Sequence, residues 1–152
     1  MTFIHTVDEF KQNLAIRFSS ATWLGAIDFT KLVIVGGCVL NALCRVPFPD
    51  TKKQDINLIY YANDTSDFEN VIRTTVNLLN EMLSEDLKNQ IKVENISGTV
   101  NYNVFLPCNV TLNICRAYTR NSKKPLSHIL HNFDMDITQV AFTGKLLSLD
   151  IN

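Results

Sequence analysis

The residues best suited to chemistry lie in one stretch of the chain, 33 to 61. Leu32 to Val35 is a short apolar run, rich in β-branched residues, and it is closed by Gly36-Gly37. Glycines placed after a strand let backbone amides approach a phosphate closely, and a helix that follows adds the positive end of its dipole. Further on, Asp55-Ile56-Asn57-Leu58-Ile59 has the composition of a second strand. In a strand, residues i and i+2 face the same way. Side chains 55 and 57 are therefore expected to project together toward the glycine turn. Two carboxylates placed so hold divalent metal ions on a triphosphate, polarise the α-phosphate and neutralise the leaving group. Here the second position is an amide. Asn57 keeps a metal-facing oxygen but lacks the charge that hard cations prefer, so metal affinity should fall.

The elements that must position these residues can be read from periodicity. Val7, Phe10, Leu14 and Phe18 recur at helical spacing and predict an N-terminal helix at about 7–20. Trp23 to Thr30 read as a connector, 32–35 as a buried strand and 38–44 as a short helix stopped by Pro47 and Pro49. After a polar loop at 50–54, residues 56–61 form the second strand. Ser66 followed by Glu69 has the capping-box pattern, and Phe68, Val71, Ile72, Leu79, Met82 and Leu83 mark one face of a helix running on to about Leu87. The period then switches to two. Strands are expected at 91–93, 99–105 and 110–115, a short helix at 125–131, and a closing hairpin of 136–142 with 145–150 turned at Thr143-Gly144. This order implies an α/β (strictly α+β) domain spanning 1–152. Its sheet would be mixed, with five to seven strands and helices mainly on one face.

The arrangement of strand, Gly36-Gly37, short helix and Asp55-x-Asn57 strand resembles the nucleotidyltransferase superfamily. That signature is Gly-Gly-Ser or Gly-Gly-Ala followed by hydrophobic-Asp-hydrophobic-Asp-hydrophobic. Leu24-Gly25-Ala26-Ile27-Asp28-Phe29 before the first strand is similar to the opening of a poorly characterised group of minimal domains of this kind. The group occurs in fungi, protists and large DNA viruses. Ile129 to Ile137 and Phe142-Thr143-Gly144 are similar to its late segments, so the resemblance covers most of 24–145. It implies an NTP substrate, magnesium, phosphate contacts from Gly36, Gly37 and residue 38, and catalytic roles at 55 and 57. The chain departs from the pattern where the chemistry sits. Cys38 replaces a serine and is a poor hydrogen-bond donor. Asn57 replaces the second acid, and the neighbouring strand offers Asn113 where a third acid should lie. Asp136 would join Asp55 as a metal ligand only if the chain brings the two together.

These departures favour a catalytically impaired, pseudoenzyme-like domain that acts as a binding or scaffold module. A protein partner is expected, and an NTP or a nucleic acid is an open alternative. The runner-up is a weak magnesium-dependent enzyme that moves NMP from NTP to a hydroxyl. In it Asp55 would ligate the ion with Asn57 or Asp136. A third reading is a structural assembly subunit, viral if the resemblance holds.

Composition narrows the field further. The 152 residues carry a net charge of −1, with 46% hydrophobic and 19% charged residues. There is no excess of basic residues for a general nucleic-acid or membrane-surface binder. No apolar run approaches the ~18 residues that span a bilayer. Met1 to Phe10 lacks the layout of a signal peptide, so an intracellular location is expected. Cys38, Cys44, Cys108 and Cys115 lack zinc-knuckle spacing and read as buried reduced thiols. His128 and His131 sit at i, i+3 with no third ligand at a suitable spacing, and Asp134 with Asp136 reads first as a turn. Lys52-Lys53 and Lys123-Lys124 read as solvated loops that would greet phosphates only if they flanked the cleft.

Overall fold

Period-two segments in this chain pair into a single sheet, and period-3.6 segments lay their apolar stripes on one side of it. The computed structural model describes residues 2–53, 55–62, 64–96, 101–116, 140–144 and 147–149. Among these residues the helices are α1 (Val7–Phe18), α2 (Gly37–Leu43) and α3 (Phe68–Met82). The strands are β1 (Leu32–Val35), β2 (Ile56–Tyr60), β3 (Lys92–Asn95), β4 (Asn101–Phe105), β5 (Thr111–Arg116), β6 (Val140–Phe142) and β7 (Leu147–Leu149). They form a 7-stranded sheet in the order β3-β4-β5-β2-β1-β6-β7. β2 and β5 run parallel, whereas the other neighbouring pairs are antiparallel. The mixed α+β sheet expected from the sequence is therefore present.

Alternation assigns the strand residues to two faces. Leu32, Ile34, Ile56, Leu58, Tyr60, Val104, Leu112, Ile114 and Phe142 share one buried cluster with apolar residues of all three helices. Val33, Val35, Ile59 and Ala141 form a second, smaller cluster, with Tyr61 and Cys115 against it. The main core is thus a sheet covered on one face by α1, α2 and α3. Trp23 is fully buried and its indole N–H donates to the Phe18 carbonyl at 2.9 Å, so the connector after α1 is fixed from inside.

Two helix ends differ from the sequence reading. Ser66 and Glu69 do not form a capping box. The Asp64 carboxylate accepts from the Ser66 N–H at 3.0 Å and opens a 3-10 turn, Thr65–Asp67, that runs into α3. Glu69 instead accepts from the Tyr102 hydroxyl on β4. A capping box does occur at α1, where the Thr6 side chain accepts from the Glu9 N–H and Glu9 accepts from the Thr6 N–H. Thr6-x-x-Glu9 carried that signal in the sequence. α3 stops at Met82 and does not reach Leu87. Beyond Leu83 the chain turns polar and exposed at Ser84, Glu85 and Asp86, so there is no apolar stripe left to bury. The connector expected at 23–30 contains a short 3-10 turn at Leu24–Ala26, preceded by another at Ser20–Thr22. The helix expected at 125–131 lies outside the described residues.

Candidate functional site

The glycine turn is built as the sequence implies. Gly36 has φ +83°, a conformation costly for any residue with a Cβ, and it caps α2. Its carbonyl accepts from the Val39 and Leu40 N–H groups at 3.1 and 3.2 Å. The amides of Gly37 and Cys38 open the helix and so have no carbonyl within it to bond. At the other end of α2, α1 supplies the partners that the last carbonyls need. The Arg17 guanidinium donates to the carbonyls of Asn41, Cys44 and Arg45, and Asn13 donates to the Ala42 carbonyl at 2.9 Å. Burial lowers the Arg17 pKa, although a guanidinium stays charged throughout. Asn41 is fully buried and donates to the Thr51 hydroxyl at 2.8 Å, which ties α2 to the turn before β2. The segment from Val35 to Thr51 is therefore held from two sides.

Asn57 faces this turn. In the β1–β2 register it lies opposite Val35, one residue before Gly36. A Cβ added to Gly36 would meet the Asn57 amide nitrogen at 3.5 Å. Across the sheet the same row continues. Asn57 pairs in register with Asn113 on β5, and Asn113 pairs with Asn103 on β4. The Asn113 amide donates to the Asn103 side-chain oxygen at 3.1 Å. Three strands thus carry three half-buried amides side by side, on the face away from the helices. Asn103 was not singled out from the sequence. Its signal was an asparagine between Tyr102 and Val104 in an alternating run, but only the register places it beside Asn113.

The remaining expected residues distribute as follows. Asp55 directly precedes β2 and is exposed. Cys38 lies on the other side, 1% exposed within the main core, with its thiol donating to the Val35 carbonyl at 3.8 Å. Burial pushes that thiol up to about 12, so it remains a neutral S–H. Its side chain serves packing, and its backbone amide alone belongs to the turn. Cys44 is also buried, as expected, whereas Cys108 and Cys115 are half-buried; all four are free thiols. Lys52 is exposed in the 3-10 turn Thr51–Lys53. Asp134, Asp136, His128, His131 and Lys123-Lys124 lie outside the described residues.

A magnesium ion on a triphosphate needs several anionic oxygens. The row beside the turn offers Asp55 and then amides, which do not fit that need. Among the described residues, no group of three or more His, Cys, Asp or Glu is placed to hold a metal ion. No helix among them is long and apolar enough to cross a membrane.

The chain matches no protein-family model and no curated protein. It does match solved structures of CCA-adding enzymes. One, in complex with CTP, superposes with TM-score 0.55 at 15% identity, covering 93% of this chain and 31% of that one. The Thermotoga maritima CCA-adding enzyme bound to tRNA gives 0.54 at 16%, covering 93% and 30%. A complex with ATP gives 0.53 at 15%, covering 93% and 31%. This chain therefore spans about a third of those enzymes' length. At such low identity the likeness is one of fold, and the mixed α+β sheet described above is similar to the nucleotidyltransferase fold.

Proposed function

We propose that this chain is a nucleotidyltransferase-fold domain whose metal-dependent chemistry is impaired and which acts as a binding or scaffold module. Kinship with the minimal fungal, protist and viral group belongs to the same proposal. The observation that carries it is the row Asn57–Asn113–Asn103. The register sets Asn57 beside the glycine turn, where phosphoryl chemistry calls for carboxylates, and continues the row outward through Asn113 to Asn103. Each amide keeps the shape of a carboxylate and removes its charge. A divalent ion would then meet Asp55 with neutral oxygens, and affinity for it falls accordingly. The amides also supply N–H groups, which donate to ligands that carboxylates repel. The solved structures with CTP, ATP and tRNA support a nucleotide or a nucleic acid as the ligand class to examine first; a protein partner rests on the loss of chemistry alone.

The test is thermal unfolding of the purified chain with ATP or CTP, in magnesium and in EDTA, alongside transfer of labelled NMP to RNA. The expected result is no transfer and no magnesium-dependent rise in Tm. A magnesium-dependent rise that Asp55→Ala abolishes, with labelled product, would overturn the proposal and establish an active enzyme.

A further inference from the structure

We propose that the β3 edge is a self-complementary surface on which a second copy of this chain adds its own β3, so that two sheets join into one. Among the described residues β3 is the terminal strand of the sheet, and its four residues, Lys92, Val93, Glu94 and Asn95, are all exposed. An open edge is a template for another strand, and many proteins blunt theirs with charge. What matters here is the order of the charges and the direction of the backbone groups.

The backbone direction follows from the register. Ile96 donates its N–H to the Asn101 carbonyl at 3.0 Å, which continues the β3–β4 pairing. In an antiparallel ladder, bonded pairs alternate with non-bonded ones. Glu94 and Lys92 therefore turn their N–H and C=O groups toward β4. Val93, and with it Ile91 and Asn95, turn theirs outward. A second β3 laid antiparallel about a two-fold axis through Val93 meets those groups in kind. Val93 then pairs with the partner's Val93, and Ile91 pairs with the partner's Asn95.

Charge selects this register over its neighbours. With the axis at Val93, Lys92 lies opposite the partner's Glu94 on one face of the joined sheet, and Glu94 lies opposite the partner's Lys92. Opposite charges directly across a strand pair attract, and like charges repel. Sliding the strands by two residues keeps the backbone bonding but sets Lys92 against the partner's Lys92, or Glu94 against the partner's Glu94. Among the described residues neither Lys92 nor Glu94 enters a salt bridge, so both are available. Apolar surface accompanies them. Val93 is 46% exposed, and Phe105, opposite Lys92 on β4, is 37% exposed. The arrangement is isologous, so it closes at two copies and does not propagate. It does not depend on the functional reading of the amide row, although Asn103, the end of that row, lies opposite Glu94 in the β3–β4 register.

Sedimentation velocity of the purified chain over a wide concentration range tests this. The expected result is a reversible shift from monomer to dimer mass as concentration rises. Lys92→Glu sets carboxylates against each other at both symmetry-related positions and should weaken the dimer on the order of ten-fold. Glu94→Lys should do the same with ammonium groups. The double exchange, Lys92→Glu with Glu94→Lys, should restore the dimer because the pairs are only reversed. All four residues of β3 are exposed, so at concentrations where the parent is monomeric the variants should unfold at the same temperature as the parent. A monomer at every concentration up to the solubility limit overturns the proposal. So does a dimer that either single exchange leaves unchanged, or a double exchange that fails to restore it.

Discussion

Leu58 and Asn57 are neighbours in β2 and point to opposite faces of one sheet. Leu58 is fully buried among the side chains of the helix-covered core. Asn57 is half-buried between Val35 and Asn113, in a row of amides. The covered face asks only for apolar volume, and hydrophobic burial fixes what can stand there. The other face carries the small buried cluster of Val33, Val35, Ile59 and Ala141 and, beside it, the polar row Asn57–Asn113–Asn103. Three carboxylates in that row would repel one another unless a cation lay between them. Three amides need no cation, and Asn113 and Asn103 bond each other directly. Under the proposed function, the composition of the row reflects the use of the face, as that of the core does not.

The sharpest break of this comparison is a pair of alanine substitutions at adjacent positions. Leu58→Ala should cost about 2–5 kcal/mol through lost burial and an unfilled cavity. Asn57→Ala, on the other face, should cost less than about 1 kcal/mol, because no hydrogen bond to its side chain occurs among the described residues. Urea unfolding of both variants would check this. Equal costs would mean that the row is structural and that its amides report nothing about use.

Two glycines with positive φ extend the contrast. Gly144 has φ +89° and packs against Phe29, where an added Cβ would lie 2.6 Å from the ring. Phe29 in turn stacks edge-on against Phe142, with ring centroids 5.4 Å apart, so it cannot yield freely. Gly144→Ala should cost about 1–3 kcal/mol from overpacking, with strain of the backbone added. Gly36 has nearly the same φ, but its nearest neighbour would be the Asn57 amide at ordinary contact distance, 3.5 Å. Gly36→Ala should show the backbone penalty alone, about 1–3 kcal/mol for a positive-φ extended conformation that only glycine adopts freely. A larger loss at Gly36 than at Gly144 would contradict the open geometry beside Asn57.

A smaller effect lies at α1, remote from both faces. Thr6→Ala removes the capping side chain and should cost about 1 kcal/mol. Glu9 accepts backbone N–H bonds from His5 and Thr6, and these hold its carboxyl below the ordinary range. A carboxyl depressed in the folded state stabilises above its unfolded pKa, and that stability is lost as pH falls through the folded value. Glu9→Gln should therefore flatten the acid side of the Tm–pH curve and leave its alkaline side unchanged.

What the sequence made legible follows the same division. α1, β1, α2, β2 and the apolar stripe of α3 were readable because burial imposes a period on each. The mixed sheet followed from their order, and the parallel contact of β2 with β5 did not. Spacing along one strand says which residues share a face, but the partner across the ladder is set by tertiary packing. For that reason Asn57 could be named from the sequence and Asn113 suspected, whereas Asn103 could not. Ser66 and Glu69 misled for a related reason: Tyr102, far along the chain, bonds the Glu69 carboxylate, while Asp64 takes the amide nearby. Cys38 looked like a phosphate contact by its place after Gly37, but its side chain is buried in the same core cluster as Ile34 and Ile56.

Adding charge to the amide row produces the smallest expected change in stability and bears most directly on what the face does. Asn57→Asp with Asn113→Asp sets two carboxylates opposite each other in the β2–β5 register, with Asp55 close in sequence. In EDTA the double variant should lose up to about 1 kcal/mol by like-charge repulsion across the pair, beyond the loss of the Asn113 donor to Asn103 that Asn113→Asp causes alone. Magnesium should recover that loss, because the ion supplies the missing cation, and the parent chain should not respond to it. If ATP then raises Tm only with magnesium, the turn at Gly36-Gly37 retains the geometry of a triphosphate site, and Asn57 and Asn113 are what hold the parent away from metal-dependent chemistry. If the double variant ignores magnesium, the proposed impairment cannot rest on these two amides and must be sought in the position of Asp55 or of the turn itself.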